Sequence, residues 1–490
     1  MTDRNGAAKA DLAILGATIV DGTGGDRYAA DIAIAGGRIA EIAAPGALEH
    51  AAEKRIDGTG RVVSPGFIDV HTHDDNAVLS GPQMTAKISQ GVTTVVTGNC
   101  GISLAPIADI DPPAPMNLLG QRAAFKYGRM ADYAKAVDAA TPSVNVAALV
   151  GHSTLRVRTM DDTGRKANAA EIDAMRELMA ECLDAGAVGF STGLWYKPNA
   201  AADIEEVAAI AELMAETGGV YTTHMRDEHD GVLESLQETF ETANRAQVPV
   251  VVSHHKCAGP KNWGRSRETL PVIEAARRFQ RVSLDAYPYN AGSTVLEPEM
   301  VDPEIRISVT WSVPHPEMAG RDLADIAKSW NLSQPDAARK LSPAGAIYFQ
   351  IDEDDMRRIL SYPPTMVGSD GLPNDTHPHP RLWGTFPRVL GRLSREEGLF
   401  SLEQAVHKMT GLSAANFDLH DRGEIRVGAM ADLVVFDADT VIDRATFEDP
   451  MQPAGGIDHV LVAGCVTWSG GAPTGDRAGG FIRRQGANQS

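Results

Sequence analysis

Cysteine is scarce in this chain of 490 residues, which contains four cysteines. They are scattered along the sequence, and no two of them stand in the tight paired spacing of a redox or zinc-ribbon motif: Cys100, Cys182, Cys257 and Cys465. This usage excludes a disulfide framework. We therefore expect free thiols or metal ligands in a cytoplasmic protein.

Long apolar runs are also missing. No segment approaches the ~20 consecutive apolar residues that cross a bilayer. Residues 1–6 lack the basic start and following apolar stretch of a secretory signal, so we expect none. Neither membrane insertion nor export is indicated by these features.

An excess of positive charge is the third absence. The chain has 45 lysines and arginines against 65 acidic residues, a net charge of −20. Nucleic-acid binding needs a basic face, and so does an anionic membrane surface, so neither partner is expected. A small anionic substrate stays possible, because cations inside a pocket outweigh a distant acidic surface. The sequence leaves the oligomeric state open.

Eight short apolar runs are present, and each ends in polar or metal-binding residues. Continuous apolar runs of this length are typical of parallel strands buried on both faces. Amphipathic helical periodicity fills the segments between them, and Ser401 with Gln404 forms a capping-box start for the last helix. Eight strand–helix alternations in about 350 residues predict a (β/α)8 TIM-like barrel. The predicted strands lie near residues 66–71, 92–97, 144–149, 187–191, 219–224, 249–254, 281–285 and 365–370.

Both ends of the chain show the alternation and glycine turns of short antiparallel strands. Residues 1–65 and 415–490 each hold too few strands for a sheet of their own, so we predict one small β-sandwich domain built from both termini. The barrel is assigned to residues 66–414. The long gap between the seventh and eighth strands, about 297–362, is predicted to be an inserted subdomain or lid.

Candidate metal ligands follow the first two strands. His71 and His73 are two residues apart, and side chains at i and i+2 of an extended chain point the same way. Cys100 stands between glycines, which indicates a tight turn. Each of these residues alone is more often structural than functional. Their shared place at strand ends, where such barrels carry their chemistry, favours a site for a borderline-soft cation such as zinc.

His224, His254 and Asp370 end the fifth, sixth and eighth strands. The two histidines would extend the metal site. A carboxylate beside a metal-activated water can accept its proton and pass it to a leaving nitrogen, which favours Asp370 as a general base and acid. An aspartate before glycine is also common in turns. The place of Asp370 on the final strand favours the catalytic interpretation.

Several polar side chains follow other strands and would face the same opening. A lysine, an arginine and phenol hydroxyls suit a substrate that carries a carboxylate. Each of them alone is equally consistent with a solvated loop residue. The candidates are Lys256, Tyr196, Tyr287 and Arg381.

Longer stretches resemble one enzyme family over residues 11–463. The predicted arrangement is similar to the amidohydrolase superfamily. The shared features are a β-sandwich from both termini, a His-x-His on strand one, histidines on strands five and six and an aspartate on strand eight. Within this superfamily, the motifs are similar to the D-aminoacylases, the N-acyl-D-amino-acid deacylases. They read GFIDVHTHDD (66–75), GNCG (98–101), GHSTLR (151–156), THMRDE (223–228), SHHK (253–256), DAYPY (285–289), GSDGLP (368–373) and PHPRLWG (378–384).

The resemblance implies hydrolysis of an N-acyl-D-amino acid to a carboxylate and a free D-amino acid, with a metal-activated water as nucleophile. Cys100, His224 and His254 would hold one tight Zn2+. His71 and His73, with Cys100 shared, would form a second, weaker site. Asp370 would be the catalytic acid and base. Orientation of the substrate, chiefly of its α-carboxylate, would fall to Lys256, Tyr196, Tyr287, Ser293 and Arg381.

Three alternatives stay open at this point. A cyclic-amide hydrolase of the hydantoinase or dihydroorotase kind would carry a bridging lysine at the end of strand four, where residues 188–192 have none. An N-acyl-D-glutamate or N-acyl-D-aspartate deacylase would carry a cation after strand seven, where Glu297 and Glu299 stand instead. We therefore expect neutral, apolar D side chains. A silent scaffold protein is the third alternative, and the full ligand set disfavours it.

Overall fold

A computed structural model describes residues 10–484 of the chain. The outermost parts of the predicted terminal domain, residues 1–9 and 485–490, lie outside the described residues, as does the segment considered for a signal sequence. Every helix within the described range is too short or too polar to cross a bilayer.

The described chain contains many short strands. They are β1 (Ala10–Ile19), β2 (Tyr28–Ala35), β3 (Arg38–Ala43), β4 (Ala52–Asp57), β5 (Val62–Pro65), β6 (Phe67–Asp69), β7 (Val92–Thr97), β8 (Ile107–Ala108), β9 (Lys126–Tyr127), β10 (Asn145–Gly151), β11 (Gly189–Gly193), β12 (Val220–His224), β13 (Val250–Val252), β14 (Val282–Ala286), β15 (Gly292–Val295), β16 (Ile307–Ser312), β17 (Ala344–Tyr348), β18 (Thr365–Val367), β19 (Leu433–Phe436), β20 (Ile457–Val462), β21 (Cys465–Ser469) and β22 (Ala472–Pro473).

Helices fill most of the connections. The α-helices are α1 (Ala77–Ser80), α2 (Thr85–Ile88), α3 (Met130–Ala140), α4 (His152–Thr159), α5 (Ala169–Asp184), α6 (Lys197–Ala200), α7 (Ile204–Ala211), α8 (Leu213–Thr217), α9 (Val232–Ala246), α10 (Ser266–Arg277), α11 (Leu323–Trp330), α12 (Gln334–Leu341), α13 (Glu353–Ser361), α14 (Arg381–Arg388), α15 (Leu402–Met409) and α16 (Gly411–Asn416). A π-helix spans Val389–Glu396, and 3₁₀ turns span Met116–Leu119, Arg122–Ala124, Pro260–Asn262, Pro298–Met300 and Pro316–Met318.

Eight parallel strands form the barrel, in the order β18-β14-β13-β12-β11-β10-β7-β6. The ring closes beyond the ends of its first and last strands, where Thr72 bridges to Gly371 in parallel and the amide of Asp370 donates to the carbonyl of His71 at 2.7 Å. All eight strands coincide with the predicted apolar runs, which confirms the barrel. The closing contacts place the first and last candidate site residues side by side.

The barrel interior is filled by branched apolar side chains from alternating strand positions, as expected for this architecture. Ile68, Val96, Leu149, Val220 and Val251 belong to this core, which the α16 region closes at one end through Ala414, Phe417 and Leu419. Because apolar packing fills the lower barrel, polar side chains accumulate beyond the carboxyl ends of the strands. The apolar interior therefore leaves the carboxyl ends of the strands as the place for a polar site.

The two ends of the chain share one sheet, in the order β22-β21-β20-β19-β5-β1-β2-β3 with β4 on β1. The junction is β5, which pairs in parallel with β1 and antiparallel with β19. The hydrophobic core of this sheet combines Ile14 and Ile32 from the first segment with Leu433, Val435 and Leu461 from the last. This accounts for the extra sheet domain expected beside the barrel.

The connection between β14 and β18 contains a three-stranded sheet, β15-β17-β16, packed with α11 and α12. This sheet starts at Gly292, before the predicted limit of 297, since β15 directly follows the loop after strand seven. At the other end α13 packs its Met356, Ile359 and Leu360 into the main barrel core. The inserted unit therefore ends with β17 rather than near 362.

The structure confirms the capping box that the sequence predicts. The side chains of Ser401 and Gln404 form both hydrogen bonds of a capping box at the start of α15. In α5, the predicted apolar face buries Met175, Met179 and Cys182. Such helices cover the outside of the barrel and hold the strand ends in fixed positions.

Candidate metal centre and catalytic site

Two overlapping groups of metal-binding side chains lie at the carboxyl ends of the barrel strands. One contains Cys100, His224 and His254, and the other contains His71, His73, Cys100 and Asp370. Within each group the ligand atoms lie within 4.8 Å of one another, and all the residues are buried. Cys100 belongs to both groups, so its sulfur stands between two potential cation positions.

The thiol of Cys100 is at the centre of the arrangement. Its Sγ lies 3.2 Å from Nε2 of His71 and 3.4 Å from Nε2 of His254. Burial alone raises the pKa of Cys100. The charges of His71 and His254 and hydrogen bonds from His224 and His254 outweigh that effect and bring the pKa well below its ordinary value. The site therefore favours a thiolate, the form that binds metal.

Three of these residues adopt left-handed backbone conformations. The φ angles are +53° at Cys100, +36° at His254 and +51° at Asp370. Residues other than glycine seldom adopt this region, and backbone of this kind is enriched at functional sites. Beside Cys100, Gly98 also has a positive φ, and a Cβ there would approach the Leu149 carbonyl to 2.2 Å. This agrees with the tight turn that the glycines predict.

Asp370 lies between the histidines and a buried arginine. Its Oδ1 is 3.1 Å from Nε2 of His73 and 3.5 Å from Nε2 of His71, and its Oδ2 is 2.9 Å from Nη1 of Arg381. Burial raises the pKa of Asp370, but Arg381, His71 and His73 together hold the pKa well below its ordinary value. The carboxylate is therefore ionised and able to accept a proton.

Two buried carboxylates near the ligands were not identified from the sequence. Asp285, in β14, has Oδ1 3.2 Å from Nδ1 of His71 and accepts a 2.9 Å hydrogen bond from the amide of His254. Glu228 has Oε1 3.0 Å from Nδ1 of His254. Asp285 could have been identified in the same way as the other candidates, because it is the last residue of the seventh apolar run. No local signal marks Glu228 beyond its place four residues after His224.

A buried ion pair lies below the site. Nζ of Lys87 is 2.7 Å from Asp69 and 3.1 Å from Asp74. Asp69 also accepts a 2.7 Å hydrogen bond from the amide of Ser369, directly before Asp370. This network joins the first strand to the last, where the barrel closes. Nothing in the sequence predicted this ion pair, because lysine is seldom buried.

A cavity extends outward from the ligands, with roughly 610 Å³ of open space that is partly continuous with solvent. Four of the five predicted substrate residues line it, namely Lys256, Tyr196, Tyr287 and Ser293. The Tyr287 hydroxyl and the Ser293 Oγ are buried without a hydrogen-bond partner among the described residues. Such groups require a polar partner, which a bound molecule would supply.

The fifth predicted residue, Arg381, lies behind the cavity wall and is fully buried. Its guanidinium stacks on the Tyr287 ring at 4.6 Å and donates through Nη2 to the Ser293 carbonyl at 3.0 Å. Its Nη1 forms the ion pair with Asp370, and its Nε has no hydrogen-bond partner among residues 10–484. Arg381 therefore contacts three other candidate residues.

The remaining histidines flanking the strands lie elsewhere. His255, adjacent to the ligand His254, is buried with Nε2 2.9 Å from the Thr269 hydroxyl. His152 is buried with Nε2 2.9 Å from Glu206, which also pairs with Arg156. Neither belongs to the two ligand groups.

The donor set fits zinc. One thiolate and two imidazoles in the first group form a common zinc ligand set, and the fourth position stays free for a reactant. His73 and His224 each have a buried Nδ1 without a hydrogen-bond partner among the described residues, so these rings still have an unsatisfied nitrogen. The second group adds two imidazoles and a carboxylate around the same sulfur. A second cation could therefore share Cys100.

Comparison with known proteins gives one consistent answer. The family model described as "Amidohydrolase family" matches residues 54–296 and 335–467. The chain is 53% identical over 478 residues to a D-aminoacylase of Alcaligenes xylosoxydans xylosoxydans, covering 97% of this chain and 98% of that protein.

Solved structures agree with these relatives. A D-aminoacylase studied for its binuclear metal center superposes with a TM-score of 0.94 at 52% identity, covering 97% of this chain and all of that one. An N-acyl-D-glutamate deacylase from Bordetella bronchiseptica, complexed with zinc and a phosphonate inhibitor, also gives a TM-score of 0.94, at 48% identity and with the same coverage. Relatives with different side-chain preferences are thus similarly close.

Proposed function

This chain belongs to the amidohydrolase family, as a zinc-dependent N-acyl-D-amino-acid deacylase, and from that premise we propose how its residues divide the reaction and which side chain it prefers. The reaction adds water across a linear amide and releases a carboxylate and a free D-amino acid. The observation that carries the residue assignment is the position of Asp370, whose Oδ1 lies 3.1 Å from Nε2 of His73 beside the sulfur-centred cluster.

Cys100, His224 and His254 would hold the tight zinc, and His71, His73 and the shared Cys100 would hold a second, weaker one. The 4.8 Å limit on the spacing of their ligand atoms and their complete burial support this assignment. When bound, the metal activates water and polarises the amide carbonyl. The thiolate of Cys100, which belongs to both groups, would offset part of the charge of the two cations.

Asp370 would act as general base and then as general acid. It accepts a proton from the attacking water and returns that proton to the amine nitrogen as the C–N bond breaks. The charge of Arg381 favours the ionised form of Asp370, so the carboxylate is available to accept that proton before substrate arrives. The proximity of Asp370 to His71 and His73 supports a position next to the reacting carbonyl.

The α-carboxylate of the substrate would bind among Lys256, Tyr196, Tyr287, Ser293 and Arg381. Two partnerless hydroxyls, those of Tyr287 and Ser293, support this, as does the free Nε of Arg381. Tyr196 enters the cavity from the strand-four side, with its hydroxyl 3.0 Å from Thr294 of the insertion. An anion held here would lie between the zinc cluster and the inserted sheet.

The preferred D side chain would be neutral and apolar. Leu118, Trp195, Met300 and Leu372 line the cavity. Among the described lining residues, Lys256 is the single lysine and arginine is absent. Outside the cavity lining, the exposed Lys197 pairs with Glu297 at 3.8 Å, so this cation already has a partner. A second carboxylate on the substrate would meet no unpaired positive charge.

A substrate panel tests the reaction and the preference together. We expect N-acetyl-D-leucine, D-methionine and D-phenylalanine to be cleaved with kcat/KM at least about 10-fold above N-acetyl-D-glutamate and D-aspartate, the scale on which pockets discriminate small groups. N-acetyl-L-leucine and a hydantoin serve as controls. Preference for the L substrate or ring opening of the hydantoin would contradict the assignment, and a preference for acidic side chains would contradict the pocket argument.

A charged substitution tests the apolar wall directly. Met300→Lys places a cation in the lining and is expected to raise the ratio of D-glutamate to D-leucine cleavage. Met451→Lys is the matched control, because Met451 is exposed and lies outside the cavity. The same change in ratio for both variants would rule out a specific role of this wall.

A zinc assay tests the ligands. Cys100→Ala and His224→Ala are each expected to lose the tight zinc by elemental analysis, together with turnover. Cys182→Ala is the control, since Cys182 is a buried thiol on α5, remote from the ligand groups. Full zinc content in Cys100→Ala would contradict the ligand set.

A cytoplasmic location is proposed with the same reaction. It is supported by the absence of disulfides among the four cysteines, all of which lie in the described range.

A further inference from the structure

Glu228 is buried between a proposed zinc ligand and a proposed substrate-binding lysine. Its two carboxylate oxygens are both 2.7 Å from Nζ of Lys256. Its Oε1 is also 3.0 Å from Nδ1 of His254. All three side chains are less than about a tenth exposed. Water therefore competes little with these contacts, and their geometry determines the protons on each group.

The nitrogens of His254 decide which contacts are hydrogen bonds. Its Nε2 faces the Cys100 sulfur at 3.4 Å, which leaves Nδ1 facing Glu228 and Lys256. A neutral imidazole that binds a metal through Nε2 keeps its proton on Nδ1 and can only donate there. Although Nζ of Lys256 is 2.9 Å from Nδ1, an ammonium has no acceptor, so these two donors cannot bond to each other.

Glu228 resolves that conflict, because it accepts from both donors. Nδ1 of His254 donates to Oε1, and Lys256 donates to both oxygens of Glu228 and to the His254 carbonyl at 3.0 Å. These contacts hold the ammonium at the wall of the cavity, which Lys256 lines. Glu228 also places one negative charge beside Lys256, which otherwise would stand next to a dication with no compensation.

We propose that Glu228 is a positioning residue that fixes the tautomer of His254 for zinc binding and neutralises Lys256 beside the metal. The inference rests on the proposed role of His254 as a zinc ligand. It predicts that zinc affinity depends on a residue that does not touch the metal. It also predicts that part of this dependence is electrostatic and passes through Lys256.

The fold contains a matched control. Glu206 is also buried, lies 2.9 Å from Nε2 of His152 and forms an ion pair with Arg156. This is the same chemistry of a carboxylate between a histidine and a cation, on α7 and away from the ligand groups. Glu228→Gln and Glu206→Gln therefore remove the same charge from similar surroundings, and only the first is next to a ligand.

The experiment measures the zinc dissociation constant of the full chain by competition with a chelator at fixed pH. We expect E228Q to weaken zinc binding about 10- to 100-fold, the usual effect of losing a carboxylate behind a ligating histidine. E206Q should leave the constant within about 2-fold of the original chain, although both variants lower the unfolding midpoint.

Adding K256M to E228Q separates the two contributions. The double variant E228Q/K256M should recover part of the lost affinity, because the uncompensated ammonium is gone. If E228Q alone does not fold, the comparison of E228Q/K256M with K256M takes its place, and the double variant should still bind zinc more weakly. A purely structural role would give no recovery.

The outcomes separate this inference from the proposed function. Equal zinc affinity in E228Q and the original chain, with Cys100→Ala losing zinc, would overturn the role of Glu228 and leave the ligand set intact. Undiminished zinc in Cys100→Ala would overturn the ligand set first. Equal losses in E228Q and E206Q would show a general effect of buried charge and would also overturn the inference.

Discussion

The guanidinium of Arg381 lies 2.9 Å from the carboxylate of Asp370, and the sequence did not predict this pairing. The sequence predicted only one role for Arg381, which was substrate binding. In the structure it also acts on Asp370, whose pKa stays low partly because of this charge. The two roles are compatible, since Nη1 of Arg381 contacts Asp370 while its Nε has no hydrogen-bond partner in the described part of the chain.

Arg381→Met should impair catalysis strongly. The change removes one charge of a buried pair, which typically costs about 2–5 kcal/mol, or at least about 30-fold in kcat/KM. Steady-state kinetics on N-acetyl-D-leucine measure it. Arg388→Met is the matched control, because Arg388 lies on the same helix but stacks on Tyr289 and pairs with Asp443. Equal losses in both variants would argue that Arg381 acts only through the stability of α14.

Asp370→Asn should lose turnover and keep the tight zinc. An amide cannot accept the proton of the attacking water, and general acid–base catalysis contributes about 10²- to 10⁴-fold. Asp370 lies outside the group of Cys100, His224 and His254, so that group stays complete. Elemental analysis and kcat measured on the same sample decide it. Turnover near the original level at full zinc would exclude Asp370 as the base.

Lys87→Met should destabilise the fold. Removal of one partner of a buried ion pair leaves an uncompensated charge, at a cost of about 3–5 kcal/mol. Here Asp69 and Asp74 would both lose their counter-ion. The unfolding midpoint in urea measures the effect, with Lys135→Met on the exposed face of α3 as control. An unchanged midpoint would show that water or a proton replaces Lys87 at no cost.

Asp375→Asn should stabilise the protein at neutral pH and above. Burial raises the pKa of Asp375 to about 7 despite opposing effects of Thr310 and Arg381. The folded chain therefore binds this proton more tightly than the unfolded chain, whose ordinary pKa is 3.8. The stability that the folded chain gains from protonated Asp375 is complete below pH 3.8 and is lost as the pH rises through about 7.

Asparagine does not titrate, so the variant avoids this loss. We expect the difference in unfolding free energy, variant minus original, to grow between pH 4 and pH 8 by up to about 4 kcal/mol. Urea unfolding at both pH values measures it. A difference that does not change with pH would show that Asp375 is ionised throughout.

The sequence predicted the barrel and most of the site because both follow from local patterns. Eight apolar runs of strand length predicted the number and order of strands, and each of the six candidate site residues lies within four residues of a strand end, where this architecture carries chemistry. Cys100, His224, His254, His71, His73 and Asp370 were all found this way. Glu228 and Lys87 were missed, because nothing near them in the sequence distinguishes them from solvated charges.

What the sequence determined by itself was the periodicity of its elements and the residues placed at their ends, since strand and helix patterns depend on neighbours a few positions apart. Only the tertiary structure decided which partners the buried charged groups contact. Glu228 reaches Lys256 across 28 residues, and Asp69 reaches Ser369 across 300. Such pairs form only when the barrel closes and excludes water, because burial makes an unpaired charge costly and so selects its partner.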